Sequence, residues 1–203
     1  MMRKSLYILA CGLATLVAFL PLVYWLADKP VNLLRLKPDL LLKNALWTLG
    51  FYTHISFGGL ALLTGWPQFH GGLRNRYRRL HRYVGTIYVG AVILSAIAGL
   101  GIGWVATGGP IAASGFLLLG SIWLSTTLLS YRAIRKGQVN RHRTLMMYSY
   151  AACFGAVTLR LWMPLLMVTF GDFVTAYRIV AWLSWVPNLL VAHWLVRKRS
   201  VSA

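Results

Sequence analysis

Hydrophobic positions along this chain come in long runs, without the two-residue alternation of half-buried strands. Six runs, separated by charged or Gly/Pro-rich breaks, are long enough to cross the hydrocarbon core of a bilayer as helices. They predict helices at about 6–27, 44–66, 83–104, 114–131, 144–167 and 174–196. The expected fold class is therefore all-α integral membrane, a six-transmembrane-helix bundle forming one membrane domain over 1–203. Between the first two runs, 28–43 mixes charges and leucines with Pro30 and Pro38. It is too broken to span, and reads as an outer interfacial segment. The first run follows Arg3 and Lys4 as in a signal peptide, but is longer than an ordinary leader core. A cut after Ala27 would also put bulky Trp25 where a small residue is wanted, so an uncleaved helix kinked at Pro21 is expected.

Composition agrees with this pattern. Hydrophobic residues make up 58% of the 203 positions and charged residues 12%, where a soluble domain carries about twice that charge. The net charge of +18 would point to nucleic acid in a soluble protein. Here the positive charge has a topological explanation instead. Fifteen of the 21 Lys and Arg fall at the N-terminus, in the loops around 74–82 and 132–143, and at the C-terminus. The acids Asp28, Asp39 and Asp172 all fall in the opposite set of connections. By the positive-inside rule both termini are cytoplasmic, and the implied location is the bacterial inner membrane. Nucleic acid is not an expected partner; the bilayer is, with anionic lipid headgroups at the basic cytoplasmic rim.

Composition also limits the chemistry. Cys11 and Cys153 both lie in apolar runs, which supports neither a disulfide framework nor a cysteine-based metal site. No Cys-x-x-Cys-His occurs, so haem attachment through two cysteines is excluded. No phosphate-cradling loop, nucleophile triad or carboxylate pair is present, and no acid lies within the spans.

The stretch 142–164, HRTLMMYSYAACFGAVTLRLWMP, carries an arginine deep in an apolar run. Such a charge needs a partner or a wet cavity. Eighteen residues make five helical turns, so His142 and Arg160 share a face about 27 Å apart. Ser149, Cys153 and Ala156 fall near the same line, which makes the stripe small and weakly polar and places it against protein. Arg160 is either a clasp for carbonyl oxygens at a broken helix end or a buried anion site.

His81-Arg82 opens the third helix as His142-Arg143 opens the fifth, each followed by tyrosines about two turns on. The two basic hairpins could be parallel repeats, which would set His81 and His142 at equal depth. Their imidazoles would then supply the axial ligands of b-type haem, with Arg82 and Arg143 toward its propionates and Gly85 leaving room for a flat ligand. A quinone or lipid headgroup is the alternative guest. The plain alternative is a pair of interface histidines snorkelling toward headgroups. His54, mid-span on a stripe continued by Gly58, Ala61 and Gly65, is either a third ligand or hydrogen-bonded within the bundle. His70 reads as solvated.

The strings HISFGGLALLTGWPQF, LHRYVGTIYVG, GFLLLGSIWLSTTLLSYRAIRKG, AVTLRLWMP and AWLSWVPNLLVA, in that order, resemble a bacterial membrane-protein family catalogued as domain of unknown function number 2306. The resemblance covers about 45–193 and implies a six-helix inner-membrane protein with no established activity. Two departures stand out: Thr144 where the family usually has Trp, and His193 where it usually has glutamate. The pattern is also distantly similar to b-type cytochromes that hold haem between paired histidines. Three function classes follow: a haem- or quinone-linked redox protein, a carrier or binder of an anionic lipid or small molecule, and a non-catalytic accessory subunit.

Overall fold

A computed structural model of the chain describes residues 2–201, with side-chain surroundings given from Ser5 to Lys198 apart from Asn32. It is helical, with no strand among the described residues, and divides into two compact units, 1–98 and 99–203, whose boundary falls inside one long helix.

The first unit begins with α1 (Met2–Ala18) and α2 (Pro21–Trp25), one span broken where Pro21 has no N–H to continue the ladder. A short 3-10 turn, Asn32–Leu36, and the four-residue α3 (Asp39–Leu42) form the connecting segment, too short and broken to span. α4 (Ala45–Gly65) starts at Asn44, whose side chain caps the free Trp47 N–H at 3.0 Å. The first span runs antiparallel along α4. Tyr7 donates to the Trp66 carbonyl, and Trp25 to the Ser56 hydroxyl. Between them Gly59 admits the Ala18 carbonyl to 2.5 Å from where a Cβ would stand. A 3-10 turn (Trp66–Phe69) and α5 (Gly71–Arg76) lead into α6 (Arg78–Gly103).

The second unit holds the end of α6, then α7 (Pro110–Arg135), α8 (Val139–Cys153), α9 (Gly155–Phe170), α10 (Phe173–Leu183) and α11 (Val186–Val201). α7 opens with Pro110 in its first turn and ends before Gly137, whose φ of +73° favours glycine and lets the chain double back at once. α8 therefore packs along α7, while α10 packs on α7 and α9, and α11 on α8. Gly115 lets α7 and α10 approach so closely that a Cβ there would stand 2.8 Å from the Ala181 carbonyl oxygen.

Six stretches are long and apolar enough to cross a membrane: Ser5–Trp25, Ala45–Phe69, Arg78–Gly103, Pro110–Arg135, Val139–Phe170 and Phe173–Lys198. Their outward faces carry large apolar side chains, such as Val168 at 88% exposure, which water would not tolerate over so large a patch. Two differences from the sequence expectation matter for the site. The third and fifth spans begin several residues earlier than 83 and 144, because their loop arginines are good helix formers and join the helix. His81 and His142 each become the fourth residue of a helix. The fifth span is also two helices, interrupted at Phe154, and the sixth is interrupted at Ser184-Trp185, just before Pro187.

Candidate functional site: two histidine–serine clasps

In the first unit, His54 on α4 meets Ser95 on α6. The His54 Nδ1 lies 2.9 Å from the Ser95 carbonyl oxygen, and the Ser95 hydroxyl donates back to the His54 carbonyl at 2.8 Å. Ser95 is fully buried, and Gly58, one turn beyond His54, leaves its hydroxyl room. In the second unit, Ser130 on α7 meets His142 on α8 in the same way. The His142 Nδ1 lies 3.1 Å from the Ser130 carbonyl oxygen, and the Ser130 hydroxyl donates to the His142 carbonyl at 3.1 Å. Each serine hydroxyl also lies within reach of the partner's Nδ1, at 3.2 Å and 2.8 Å respectively.

A carbonyl oxygen can only accept, so the proton of each neutral imidazole is assigned to Nδ1. Nε2 then carries the lone pair. A ring N–H anchored on a backbone carbonyl is the arrangement that holds metal-ligating histidines in orientation. The clasp therefore fixes tautomer and ring plane together. Its order is reversed between the units: histidine precedes serine in one and follows it in the other. A same-direction duplication would not produce that reversal, so the clasps lend no support to the parallel repeat.

The remaining predicted residues are placed as follows. His81 is half-buried in the first unit, on the α6 stripe that buries Tyr88, Val92 and Ser95. His142 belongs to the second unit. Arg82 and Arg143 are exposed. Beside Gly85, the carboxamide oxygen of Gln68 lies 3.5 Å from where a Cβ would stand. The guanidinium of Arg160 donates to the Ala156 carbonyl at 2.7 Å, just past the break at Phe154. His193 is exposed with its Nδ1 2.9 Å from the Tyr148 hydroxyl, and His70 is exposed.

Sequence reasoning missed both serines and a second polar cluster that joins the two helix breaks. Asn188 donates toward the Ser184 carbonyl at 2.9 Å, the Thr158 hydroxyl at 3.0 Å and the Ala151 carbonyl at 3.3 Å, and Thr158 itself bonds to the Ser184 carbonyl. The signal available was Pro187, which cannot donate to the ladder and so marks where neighbouring carbonyls need other donors. Among the described residues no group of three or more His, Cys, Asp or Glu could hold a metal ion.

Six stretches long and apolar enough to cross a membrane define a multi-pass membrane protein. The chain belongs to the family described as predicted membrane protein DUF2306, which it matches over residues 51–196. No curated protein and no solved structure matches it.

Proposed function

We propose that this chain is a redox protein of the bacterial inner membrane that holds b-type haem through clasped imidazoles. Each unit by itself offers one clasped imidazole as an iron ligand, His54 in the first and His142 in the second. The observation that carries the reading is the pair of reciprocal clasps, which leave Nε2 as the basic atom of a ring already held in place. Neutral imidazole is a suitable donor for haem iron, so each clasped ring fits that role by its chemistry. Bound haem would supply one-electron chemistry. The chain's own contribution is to fix each ring, to keep water from the buried serines, and to offer exposed guanidinium groups, Arg82 and Arg143, to propionates. His81, half-buried on α6 of the first unit, is a further candidate ligand. Both termini and both arginine-rich loops are assigned to the cytoplasm by the one-sided charge.

The test is the reduced-minus-oxidised spectrum of the purified protein, produced with ample haem supply. Soret and α bands of b-type haem are expected, with loss of haem in His142→Ala while the protein stays inserted. A spectrum without those bands overturns the reading.

A second reading rests on a separate observation. Arg76, Arg78, Arg79 and Arg82 are exposed at one end of the first unit, beside the apolar faces of the spans. Such a surface attracts anionic lipid headgroups, at about 1 kcal/mol per residue near the membrane. Native mass spectrometry would show retained anionic lipid, reduced when these arginines become glutamine.

A further inference from the structure

Asn188 reaches the Ala151 carbonyl and His193 the Tyr148 hydroxyl, so α11 runs antiparallel along α8 within the second unit. The His193 Nδ1 and the Tyr148 Oη stand 2.9 Å apart on an exposed seam between the two helices. A neutral imidazole and a phenol carry one exchangeable proton each, and a single one serves the bond between them. When the hydroxyl donates, the imidazole keeps an Nε2–H; when Nδ1–H donates, the hydroxyl proton is left over. Either way one donor remains, and neither side chain has another hydrogen-bond partner among the described residues. Both lie in stretches apolar enough to cross a membrane, where hydrocarbon offers no acceptor.

The same seam is basic toward the helix ends. Arg141 precedes Tyr148 by two turns and shares its face of α8, and Arg197 follows His193 by one turn and shares its face of α11. Both are exposed, and no Asp or Glu occurs in α7, α8 or α11 to pair with them. Arg141 donates to the neutral Gln138 carboxamide oxygen at 3.4 Å. Trp194, 58% exposed with the Lys198 ammonium 5.2 Å from its ring centre, marks this level as the bilayer interface.

We propose that this seam binds an anionic glycerophospholipid. Its phosphate meets the Arg141 and Arg197 guanidinium groups, and an ester carbonyl, a few bonds deeper, accepts the donor of the Tyr148–His193 pair. The depths agree: Arg197 and His193 are one turn apart, about 6 Å along α11. A water-soluble anion, such as free phosphate or an acidic peptide, would meet the arginines but not a donor below them in the apolar span. The site belongs to the second unit alone and requires neither haem nor the arginines of the first unit.

The experiment is native mass spectrometry of the full-length protein in dodecyl maltoside, with dioleoyl phosphatidylglycerol, its dialkyl ether analogue and dioleoyl phosphatidylcholine. The wild type should retain the phosphatidylglycerol diester most strongly. Arg141→Gln combined with Arg197→Gln should weaken its retention about tenfold, toward that of the neutral phosphatidylcholine. Because either ring alone keeps a donor, Tyr148→Phe and His193→Phe are combined, and that double variant should lose about fivefold. The ether has no carbonyl, so the wild type should hold it about fivefold more weakly than the diester, and the double variant should not tell them apart. This comparison on the wild type needs no variant to fold. Arg178→Gln, exposed on α10 of the same unit, should change nothing. Equal retention of ether and diester by the wild type, undiminished retention in the double arginine variant, or loss of lipid only when the first unit's arginines are replaced would each overturn the seam.

Discussion

Ser130 and His142 bond to each other's main chain as well as to each other: the Ser130 hydroxyl donates to the His142 carbonyl at 3.1 Å, and the His142 Nδ1–H is shared between the Ser130 carbonyl at 3.1 Å and the Ser130 hydroxyl oxygen at 2.8 Å. They stand six residues either side of Lys136, so the tight turn at Gly137 brings them level. Ser95 and His54 reach the same arrangement across a much longer connection. Replacing Ser130 or Ser95 by alanine removes one donor from each clasp but leaves the imidazole its carbonyl. We expect a loss of about 0.5–1 kcal/mol, seen as a fall of a few degrees in the unfolding midpoint in detergent. Ser125→Ala, at an exposed serine bonded only within its own helix, should leave the midpoint unchanged.

The close helix approaches make a sharper prediction. A Cβ at Gly59 would stand 2.5 Å from the Ala18 carbonyl oxygen, and one at Gly115 2.8 Å from that of Ala181. Both neighbours are backbone and cannot swing aside. Gly59→Ala and Gly115→Ala should each cost about 1–3 kcal/mol through forced helix separation. Gly90, helical and exposed with nothing within 4 Å, should accept alanine without loss, since alanine is the better helix former. Equal midpoints for Gly59→Ala and Gly90→Ala would show that the approach is not needed.

The spans were legible because run length and hydropathy alone decide what crosses a bilayer. His81 and the tyrosine two turns on, Tyr88, could be put on one stripe because helical spacing is local. The partners were not legible. Ser95 is 41 residues from His54, and nothing local marks which helix will face an imidazole. Ser130 could have been found by reflecting His142 about the Lys136-Gly137 turn, but similarity between the two His-Arg strings drew attention to His81 instead. The break at Phe154 carries no proline and lies in a run that reads as one helix, so His142 and Arg160 were placed on a single straight line. Asn188 carries no local mark of its own, because the Ser184 carbonyl that it satisfies is exposed only by the break just before Pro187.

Asn188 should therefore be sensitive. Its side chain bridges three acceptors across the two breaks, and alanine leaves the Ala151 carbonyl without this donor. A loss of about 1–2 kcal/mol is expected from Asn188→Ala, within the upper range for hydrogen bonds inside membranes. Thermal unfolding in detergent would check it, and a midpoint equal to wild type would mean that the breaks are held by packing alone.

Asp172, between α9 and α10, gives a pH dependence. Its carboxylate accepts from the Thr175 N–H at 2.7 Å, and hydrogen bonding to Thr175 holds its pKa below the ordinary 3.8. A group with a lowered folded pKa stabilises above its unfolded value and loses that contribution as pH falls through the folded one. Protection of the Thr175 amide against hydrogen exchange, corrected for intrinsic rate, should be constant above about pH 4 and fall below it. Asp172→Asn retains a capping oxygen but not the titration, so its protection should not change with pH. A wild-type profile as flat as that of Asp172→Asn would remove the carboxylate from the cap.

The last prediction concerns which side each loop faces. Lysine and arginine near span ends resist translocation, and fifteen of them lie at the termini and in the loops around 74–82 and 132–143, whereas no acid does. These loops should be cytoplasmic and the 28–43 segment outside. Single cysteines probed with a membrane-impermeant maleimide would decide it, and the structure indicates where they can go. Gly72 is exposed, and a Cβ there meets only the ring of exposed His70, which can turn away. Gly137 is a poor choice because its φ of +73° would strain any side chain, so exposed Lys136 is the better position in the second loop. Cys153 is 5% exposed and gives little background, and Cys11 can be replaced by alanine. Gly72→Cys and Lys136→Cys should label only after the membrane is permeabilised. Lys43→Cys, exposed just before α4, should label in intact cells. Labelling of Gly72→Cys in intact cells would invert the assignment and move the arginine surface, with any anionic lipid it binds, to the outer face.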